Sequence, residues 1–122
     1  MRRICVVGTG YVGLVTGTCF AELGNHVSCV DIDEAKVKLL QSGKTPIFEP
    51  GLSELVQRNA AAGRLCFTTS YEDGLRQAEF VFIAVNTPMS DEDGAADLRY
   101  VQAAAKSIGQ NLDHELIIVN KS

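Results

Sequence analysis

A glycine-rich run, GTGYVG at residues 8–13, is the part of the sequence whose residue types and spacing most directly indicate chemistry. It has the spacing G-x-G-x-x-G and lies between an apolar run at residues 4–7 and a helical stretch. In that context Gly8 permits a tight turn, Gly10 lets a phosphate approach the backbone, and Gly13 lets the helix pack close to a sheet. Free N–H groups and the positive end of the helix dipole then predict a binding site for the diphosphate of a dinucleotide. The alternative is a tight strand–helix turn without a ligand.

An acidic residue follows the second apolar run. Asp31 stands eighteen residues after Gly13, at the end of a predicted strand. A carboxylate there can accept hydrogen bonds from the hydroxyls of an adenosine ribose, and it would repel a 2′-phosphate, which favours NAD over NADP. The alternative is a solvent-facing acid at a strand end. Lys36 could reach the same ribose or be an exposed helix lysine, and chemistry alone leaves both open. Asp33 is expected to cap the helix that follows.

A sheet must bring these residues together, and the sequence alternates short apolar runs with helical stretches. Apolar runs without alternation predict parallel strands that helices cover on both faces. We predict strands at residues 4–7, 26–31, 65–68, 80–85 and 116–119, the fourth being the most buried in appearance. We predict helices at residues 11–23 and 34–41, from 52 to Gly63, after Ser70, and after Asp97. The fold class is therefore a single-domain α/β fold, a Rossmann-type doubly wound parallel sheet with strand order 3-2-1-4-5.

The carboxyl edge of that sheet is where ligands bind in such folds. It is expected to collect Gly8, Asp31, residues 86–88 and residues 120–122. The last helix should turn one apolar face to the sheet, and that face consists of Leu98, Val101, Ala105 and Ile108.

Composition restricts the class of protein. The chain has 122 residues, which predicts one domain. Its net charge of −4 argues against a nucleic-acid partner. The longest apolar run, residues 80–85, is far shorter than the ~20 residues that cross a bilayer. No stretch has the pattern of a targeting sequence, so the expectation is a cytoplasmic protein without a membrane partner.

The remaining candidate residues for chemistry are cysteines and histidines. His26 and His114 stand at predicted strand entrances and are expected to be structural or solvated. No nucleophile–base pair and no metal cluster can be identified from spacing, so no catalytic and no metal-binding residue is predicted. The four cysteines form no CxxC pair and are expected to be buried and reduced: Cys5, Cys19, Cys29 and Cys66.

Five segments, in order along the whole chain, resemble the UDP-glucose/GDP-mannose dehydrogenase family. They are GTGYVGLV at residues 8–15 with VD at 30–31, PIFEPGL at 46–52, FIAVNTP at 82–88, ADLRYV at 96–101 and KS at 121–122. Within the family, the likeness is greatest to members that oxidise UDP-glucose. The last segment matches only the first two letters of the family's K-S-T-V-P.

This resemblance implies a reaction. Members of the family oxidise the C6 alcohol of a nucleotide sugar to a carboxylate with two NAD in succession, through a thioester on a cysteine of their C-terminal part. None of the cysteines here matches the motif of that cysteine. The chain is thus expected to be the N-terminal NAD-binding domain, residues 1–122, of a larger homo-oligomeric enzyme whose central helical and sugar-binding domains are absent. Alone it would bind NAD without turnover.

The resemblance also assigns residues to the cofactor. Tyr11 and Val12 would contact the dinucleotide through their backbone, and Asp31 and Lys36 would bind the adenosine ribose. Thr87 would lie near the cofactor beyond the fourth strand. The last residue would precede a threonine close to the nicotinamide. The predicted cofactor-binding residues are therefore Gly8, Gly10, Tyr11, Val12, Gly13, Asp31, Lys36, Thr87 and Ser122.

Other functions remain open. One is a dehydrogenase of GDP-mannose or of another UDP-sugar, and another is a non-catalytic module that binds NAD or NADH. A third is a Rossmann dehydrogenase of the 3-hydroxyacyl-CoA or 6-phosphogluconate type, against which the segment EPGL at residues 49–52 argues. In the family reading, Glu49 and Pro50 shape a loop beside the site, and the alternative is a rigid turn.

Overall fold

The computed structural model describes residues 1–85 and 98–120 and contains one parallel sheet of five strands. The strands are β1 (Arg3–Val7), β2 (His26–Val30), β3 (Leu65–Thr68), β4 (Phe80–Ile83) and β5 (Ile117–Asn120). The helices are α1 (Tyr11–Glu22), α2 (Glu34–Gln41), α3 (Leu52–Ala61), α4 (Tyr71–Leu75) and α5 (Arg99–Asn111). The strand order β3-β2-β1-β4-β5 confirms the predicted doubly wound topology.

Two apolar layers hold the helices to the sheet, one on each face. On one face, Leu14, Val37 and Val56 of α1, α2 and α3 pack with Val6 of β1 and its neighbours. On the other face, α4 and α5 pack against the alternate side chains of the same strands, and the buried residues there include Val7, Val81, Leu75 and Ile108. Because successive strand side chains point to opposite faces, these layers together bury β1 from both sides.

The register of β1 and β2 brings their carboxyl ends level. Val7 is paired with Val30, and the amide of Gly8 donates to the carbonyl of Val30 at 2.7 Å. The residue after each strand, Gly8 in one case and Asp31 in the other, therefore lies at the same edge of the sheet. This confirms the predicted juxtaposition of the glycine turn and the acid.

Two helix caps form as the sequence predicts. The side chain of Asp33 accepts a hydrogen bond from the amide of Lys36 at 3.1 Å, and the hydroxyl of Ser70 accepts one from the amide of Asp73 at 3.1 Å. Each cap satisfies an amide that the first helical turn leaves without a partner. Both helices thus begin beside the carboxyl edge of the sheet.

The carboxyl half of the chain differs from the prediction in several details. Strand β4 ends at Ile83, and β1, with four consecutive buried residues, is more buried than β4. Helix α5 begins at Arg99 with Leu98 at its N-cap position, while the predicted cap, Asp97, lies outside the described residues. The buried residues of α5 are Ala104 and Ile108, whereas Leu98 and Ala105 of the predicted face are exposed.

Strand β5 is covered less than predicted. It lies one residue later than expected, and Ile117 and Ile118 are 57% and 51% exposed. Since consecutive strand residues face opposite sides, both faces of this edge strand are open among the described residues.

Two of the four cysteines are exposed, contrary to the prediction. Cys5 and Cys29 are buried, whereas Cys19 and Cys66 are exposed. Cys19 lies on the outer face of α1, and Cys66 lies on the edge strand β3, so an apolar context in the sequence did not ensure a covered position. All four are free thiols. Burial raises the pKa of Cys5 to about 12 and also raises that of Cys29, so neither thiol ionises near neutral pH.

Helix α1 approaches the first turn closely enough to require a glycine, which gives a stability prediction. A Cβ on Gly13 would lie 1.9 Å from the carbonyl oxygen of Gly8, whereas a Cβ on Gly109 of α5 would meet no described atom within 4 Å. Gly13→Ala should therefore destabilise the fold by about 2 kcal/mol, through overpacking. The matched change Gly109→Ala should stabilise it by roughly 0.5–1 kcal/mol, since alanine is the better helix former.

Urea denaturation of both variants and the unchanged chain measures the two effects. Equal free energies of unfolding for Gly13→Ala and Gly109→Ala would contradict this packing.

Candidate functional site

The turn between β1 and α1 is wedged between two neighbouring strand ends. Gly8 has a φ of +102°, in the region that side chains disfavour, and a Cβ there would lie 2.6 Å from the carbonyl oxygen of Ala84. The amide of Ala84 in turn donates to Val7 at 2.8 Å. The backbone therefore requires glycine at position 8, as the motif predicts.

Two glycines, Gly13 and Gly17, allow α1 to pack closely against the rest of the fold. A Cβ on Gly13 would strike the turn itself, at the oxygen of Gly8, as described above. A Cβ on Gly17 would lie 2.9 Å from the Sγ of Cys29 on β2, so Gly17 is the residue that brings the helix onto the sheet. The two glycines together fix both the start and the tilt of α1.

The amino terminus of α1 carries no side-chain cap. Gly10 stands at the N-cap position, no side chain of the described residues bonds to the first turn, and that turn contains no acid. The first helical bond runs from the amide of Leu14 to the carbonyl of Gly10 at 2.9 Å, so the amides of Tyr11 and Val12 have no helical acceptor. Gly10 has an ordinary φ of −72°, so its backbone conformation does not itself require glycine. The arrangement suits an anion.

The carboxylate of Asp31 is held by the turn opposite it. Its Oδ2 accepts hydrogen bonds from the amide of Thr9 at 2.9 Å and from the Oγ1 of Thr9 at 2.6 Å. Its Oδ1 accepts one from the amide of Asp33 at 2.9 Å. The Nζ of Lys36 lies 3.9 Å from Oδ2. With a side chain 11% exposed, Asp31 is not the solvent-facing acid of the alternative interpretation.

The ionised form of Asp31 is favoured. Burial raises the pKa of this carboxyl, but the hydrogen bonds from the Thr9 hydroxyl and the amides of Asp33 and Thr9, together with the charge of Lys36, outweigh it. The pKa therefore lies below the ordinary value of 3.8. Asp31 presents a fixed negative charge at neutral pH.

Lys36 bonds through two separate groups. Its amide donates to the Asp33 cap, and its ammonium group lies beside Asp31, with the side chain 30% exposed. Of the two possibilities that the sequence left open, the structure places the lysine at the acid.

A cavity of about 230 Å³ joins these groups. One wall consists of the glycine turn and the end of β2, and the opposite wall comes from α4 and α5. Tyr71 of α4 and Ser107 of α5 both line this wall, and burial raises the pKa of Tyr71, which keeps the phenol neutral. The residues of the two walls include Gly8, Thr9, Gly10, Asp31, Lys36, Tyr71, Tyr100, Ala103, Ala104 and Ser107.

Sequence reasoning missed Thr9 and the α4–α5 wall. Thr9 fills a variable position of the glycine motif and is fully buried, and only its hydroxyl group hinted at a role. Tyr71 and Ser107 lie 36 positions apart, so nothing in the local pattern joins them. Long-range packing brings these residues to the cavity.

Several predicted site residues do not line the described cavity, Tyr11, Val12 and Gly13 among them. Thr87 and Ser122 lie outside the described residues. Glu49 and Pro50 lie in the exposed loop before α3, and neither lines the cavity. The histidines are distant from the ligand edge, and the Nε2 of His114 lies 2.7 Å from the carbonyl oxygen of Ala78.

Within residues 1–85 and 98–120, no group of three His, Cys, Asp or Glu side chains is arranged to hold a metal ion. Over the same residues, the helices lack the length and apolar character that crossing a bilayer requires.

Comparison with known proteins assigns the family. Residues 2–122 match the model of the UDP-glucose/GDP-mannose dehydrogenase family, NAD binding domain. The chain is 55% identical to the UDP-glucose 6-dehydrogenase TuaD of Bacillus subtilis. The match covers all of this chain and 26% of that protein. It thus spans about a quarter of the length of the curated relatives it matches.

Solved structures agree. The GDP-mannose dehydrogenase of Pseudomonas aeruginosa, determined as a ternary complex, superposes with a TM-score of 0.93 at 35% identity, over 99% of this chain and 28% of that one. A UDP-glucose dehydrogenase from Pyrobaculum islandicum superposes with a TM-score of 0.86 at 43% identity, over 91% of this chain and 26% of that one. The chain therefore belongs to the UDP-glucose/GDP-mannose dehydrogenase family, in which residues 2–122 form the NAD-binding domain.

Proposed function

We propose that this chain is the cofactor-binding part of a dehydrogenase that oxidises UDP-glucose to UDP-glucuronate with two NAD. The observation that carries the proposal is that Gly10, at the N-cap position of the uncapped helix α1, and the ionised Asp31 line one cavity. The choice of sugar rests on the higher identity to the UDP-glucose enzyme, 55%, than to the GDP-mannose enzyme, 35%. Homo-oligomerisation and a cytoplasmic location belong to the same proposal and rest on the family alone.

The residues present fit NAD. Gly10 has no side chain, and the amides of Tyr11 and Val12 that follow it in the uncapped helix would bind a diphosphate. Asp31 and Lys36 offer an acceptor and a donor for the hydroxyls of the adenosine ribose. The wall formed by Tyr71, Tyr100 and the small side chains of α5 then faces the base. Bound NAD supplies the acceptor for a hydride, and this domain supplies its position.

The oxidation itself would use residues elsewhere in the longer protein. Cys5 and Cys29 are buried, with raised pKa values, and neither Cys19 nor Cys66 lines the cavity. A thiolate nucleophile for the family reaction is therefore not available in the cavity among the described residues.

A first prediction concerns turnover. The 122-residue chain should bind NAD in a calorimetric titration but should produce no NADH from UDP-glucose, followed by absorbance. The control is the protein extended to the full length of its relatives, which should reduce NAD with UDP-glucose and not with GDP-mannose. NADH formation by the 122-residue chain would refute the idea that this domain only binds NAD. A full-length protein that is inactive with both sugars would favour a non-catalytic NAD-binding module.

A second prediction concerns the choice between NAD and NADP. Asp31→Ala should weaken NAD binding by roughly 10- to 100-fold, since a hydrogen bond to a charged acceptor is worth about 1.5–3 kcal/mol. NADP binding should not weaken, because the variant no longer repels the 2′-phosphate. The difference between the affinities for NAD and NADP should therefore become smaller. Glu34→Gln is the matched control: it removes a charge nearby, on a side chain 76% exposed, and should change neither affinity. Unchanged NAD affinity in Asp31→Ala would remove Asp31 from the site.

A third prediction concerns pH. The pKa of Asp31 is lowered in the folded chain, so its carboxylate is present above the ordinary value of 3.8 and is lost only as the pH falls below it. NAD affinity should therefore be flat from about pH 8 to about pH 5 and should fall only in more acid solution. Fluorescence or calorimetric titration across this range measures it. A fall in NAD affinity centred near pH 6 would point to another titrating group.

A further inference from the structure

Thr9 makes two hydrogen bonds to a single oxygen. Both its amide and its hydroxyl donate to Oδ2 of Asp31, and its side chain is fully buried. The hydroxyl bond, at 2.6 Å, is the shorter of the two. Thr9 also belongs to the glycine turn whose neighbours would hold the diphosphate. One residue therefore links the phosphate side of the cavity to its acid.

These bonds leave Asp31 with a definite remaining capacity. A carboxylate has about four acceptor positions, two on each oxygen. Among the described residues, Thr9 occupies both positions on Oδ2, and the amide of Asp33 occupies one on Oδ1. The position that remains is on Oδ1.

We propose that Thr9 is a positioning residue for the adenosine ribose: its hydroxyl fixes the Asp31 carboxylate so that Oδ1 accepts the hydrogen bond from a ribose hydroxyl. This inference rests on the proposed function, since it takes Asp31 to be the ribose acceptor. Thr9 lines the cavity, but its side chain is fully buried and its hydroxyl is bonded to Asp31, so the hydroxyl acts on the ribose through the acid. Without its hydroxyl, Oδ2 keeps only the bond from the amide of Thr9, so the carboxylate is held less firmly in this orientation.

The alternative is that Thr9 only satisfies a buried carboxylate for the sake of the fold. That role would affect stability alone. A positioning role would in addition affect how well the chain distinguishes a ligand with ribose hydroxyls from the same ligand without them. It would also affect the pH at which this discrimination is lost, because the Thr9 hydroxyl is one of the groups that lower the pKa of Asp31.

The chain offers a matched set of variants. Thr9→Val removes the hydroxyl and keeps the shape, and Thr9→Ser keeps the hydroxyl. Thr18→Val makes the same chemical change at another fully buried threonine of this segment, whose Oγ1 has no hydrogen-bond partner among the described residues. Circular dichroism and melting curves show that each variant is folded before binding is measured.

The probes are ADP and 2′,3′-dideoxy-ADP, titrated calorimetrically into each chain at neutral pH. The unchanged chain, Thr9→Ser and Thr18→Val should bind ADP more tightly than the dideoxy compound by the same factor. In Thr9→Val that factor should shrink by about 10-fold, and the affinity for the dideoxy compound should stay the same. In acid solution, the preference for ADP should disappear at a higher pH in Thr9→Val than in the unchanged chain.

The outcomes distinguish the ribose-binding role of Asp31 from the positioning role of Thr9. If the unchanged chain binds both probes equally, Asp31 is not the ribose acceptor, and the proposed site itself fails. If the unchanged chain prefers ADP and Thr9→Val prefers it equally, with the same pH dependence, the positioning role is overturned and the site stands. Should Thr9→Val not fold, Thr9→Ala carries the same expectation. Unfolding of both variants would also overturn the proposal, because Thr9 would then serve the fold as a whole.

Discussion

The close approach of α1 to the first turn is the constraint on which the rest of the site depends. The carbonyl oxygen of Gly8 occupies the space that a Cβ of Gly13 would need, and Gly8 itself is pressed against the carbonyl of Ala84. Steric exclusion acts over tenths of an ångström and leaves no adjustable alternative in a packed interior. The start of the helix is therefore held at one place above the sheet, next to the cavity that Gly10 lines.

The register of the strands adds a charge at a fixed distance from those amides. Because Val7 is paired with Val30, the turn and Asp31 follow their strands at the same level, and Thr9 can donate to the acid twice. The hydrogen bonds that satisfy the carboxylate are also those that hold it ionised. Packing, register and protonation state thus follow from the same few backbone positions.

Local pattern was enough to predict the part of the fold that local interactions determine. The strands, their order, the caps at Asp33 and Ser70 and the meeting of Gly8 with Asp31 follow from apolar runs, capping residues and the handedness of parallel connections. The exposure of Cys66 and Ile117 could not be predicted in this way. That exposure depends on whether the strand lies at the sheet edge and on what covers the strand. The wall formed by Tyr71 and Ser107 depends on how two distant helices meet, which no spacing in the sequence records.

In the proposed function, the site attracts the diphosphate of NAD and repels the 2′-phosphate of NADP. The diphosphate of NAD would meet the positive end of α1, where N–H groups carry partial charge and no acid stands in the first turn. A 2′-phosphate would instead meet Asp31, whose ionised carboxylate is only partly balanced by Lys36 at 3.9 Å. Because charges in a partly buried cavity are weakly screened, the interaction with a phosphate would have opposite signs at these two places. The orientation of Asp31 therefore matters as much as its charge, and in this chain the residue that sets the orientation is the threonine between the first two glycines.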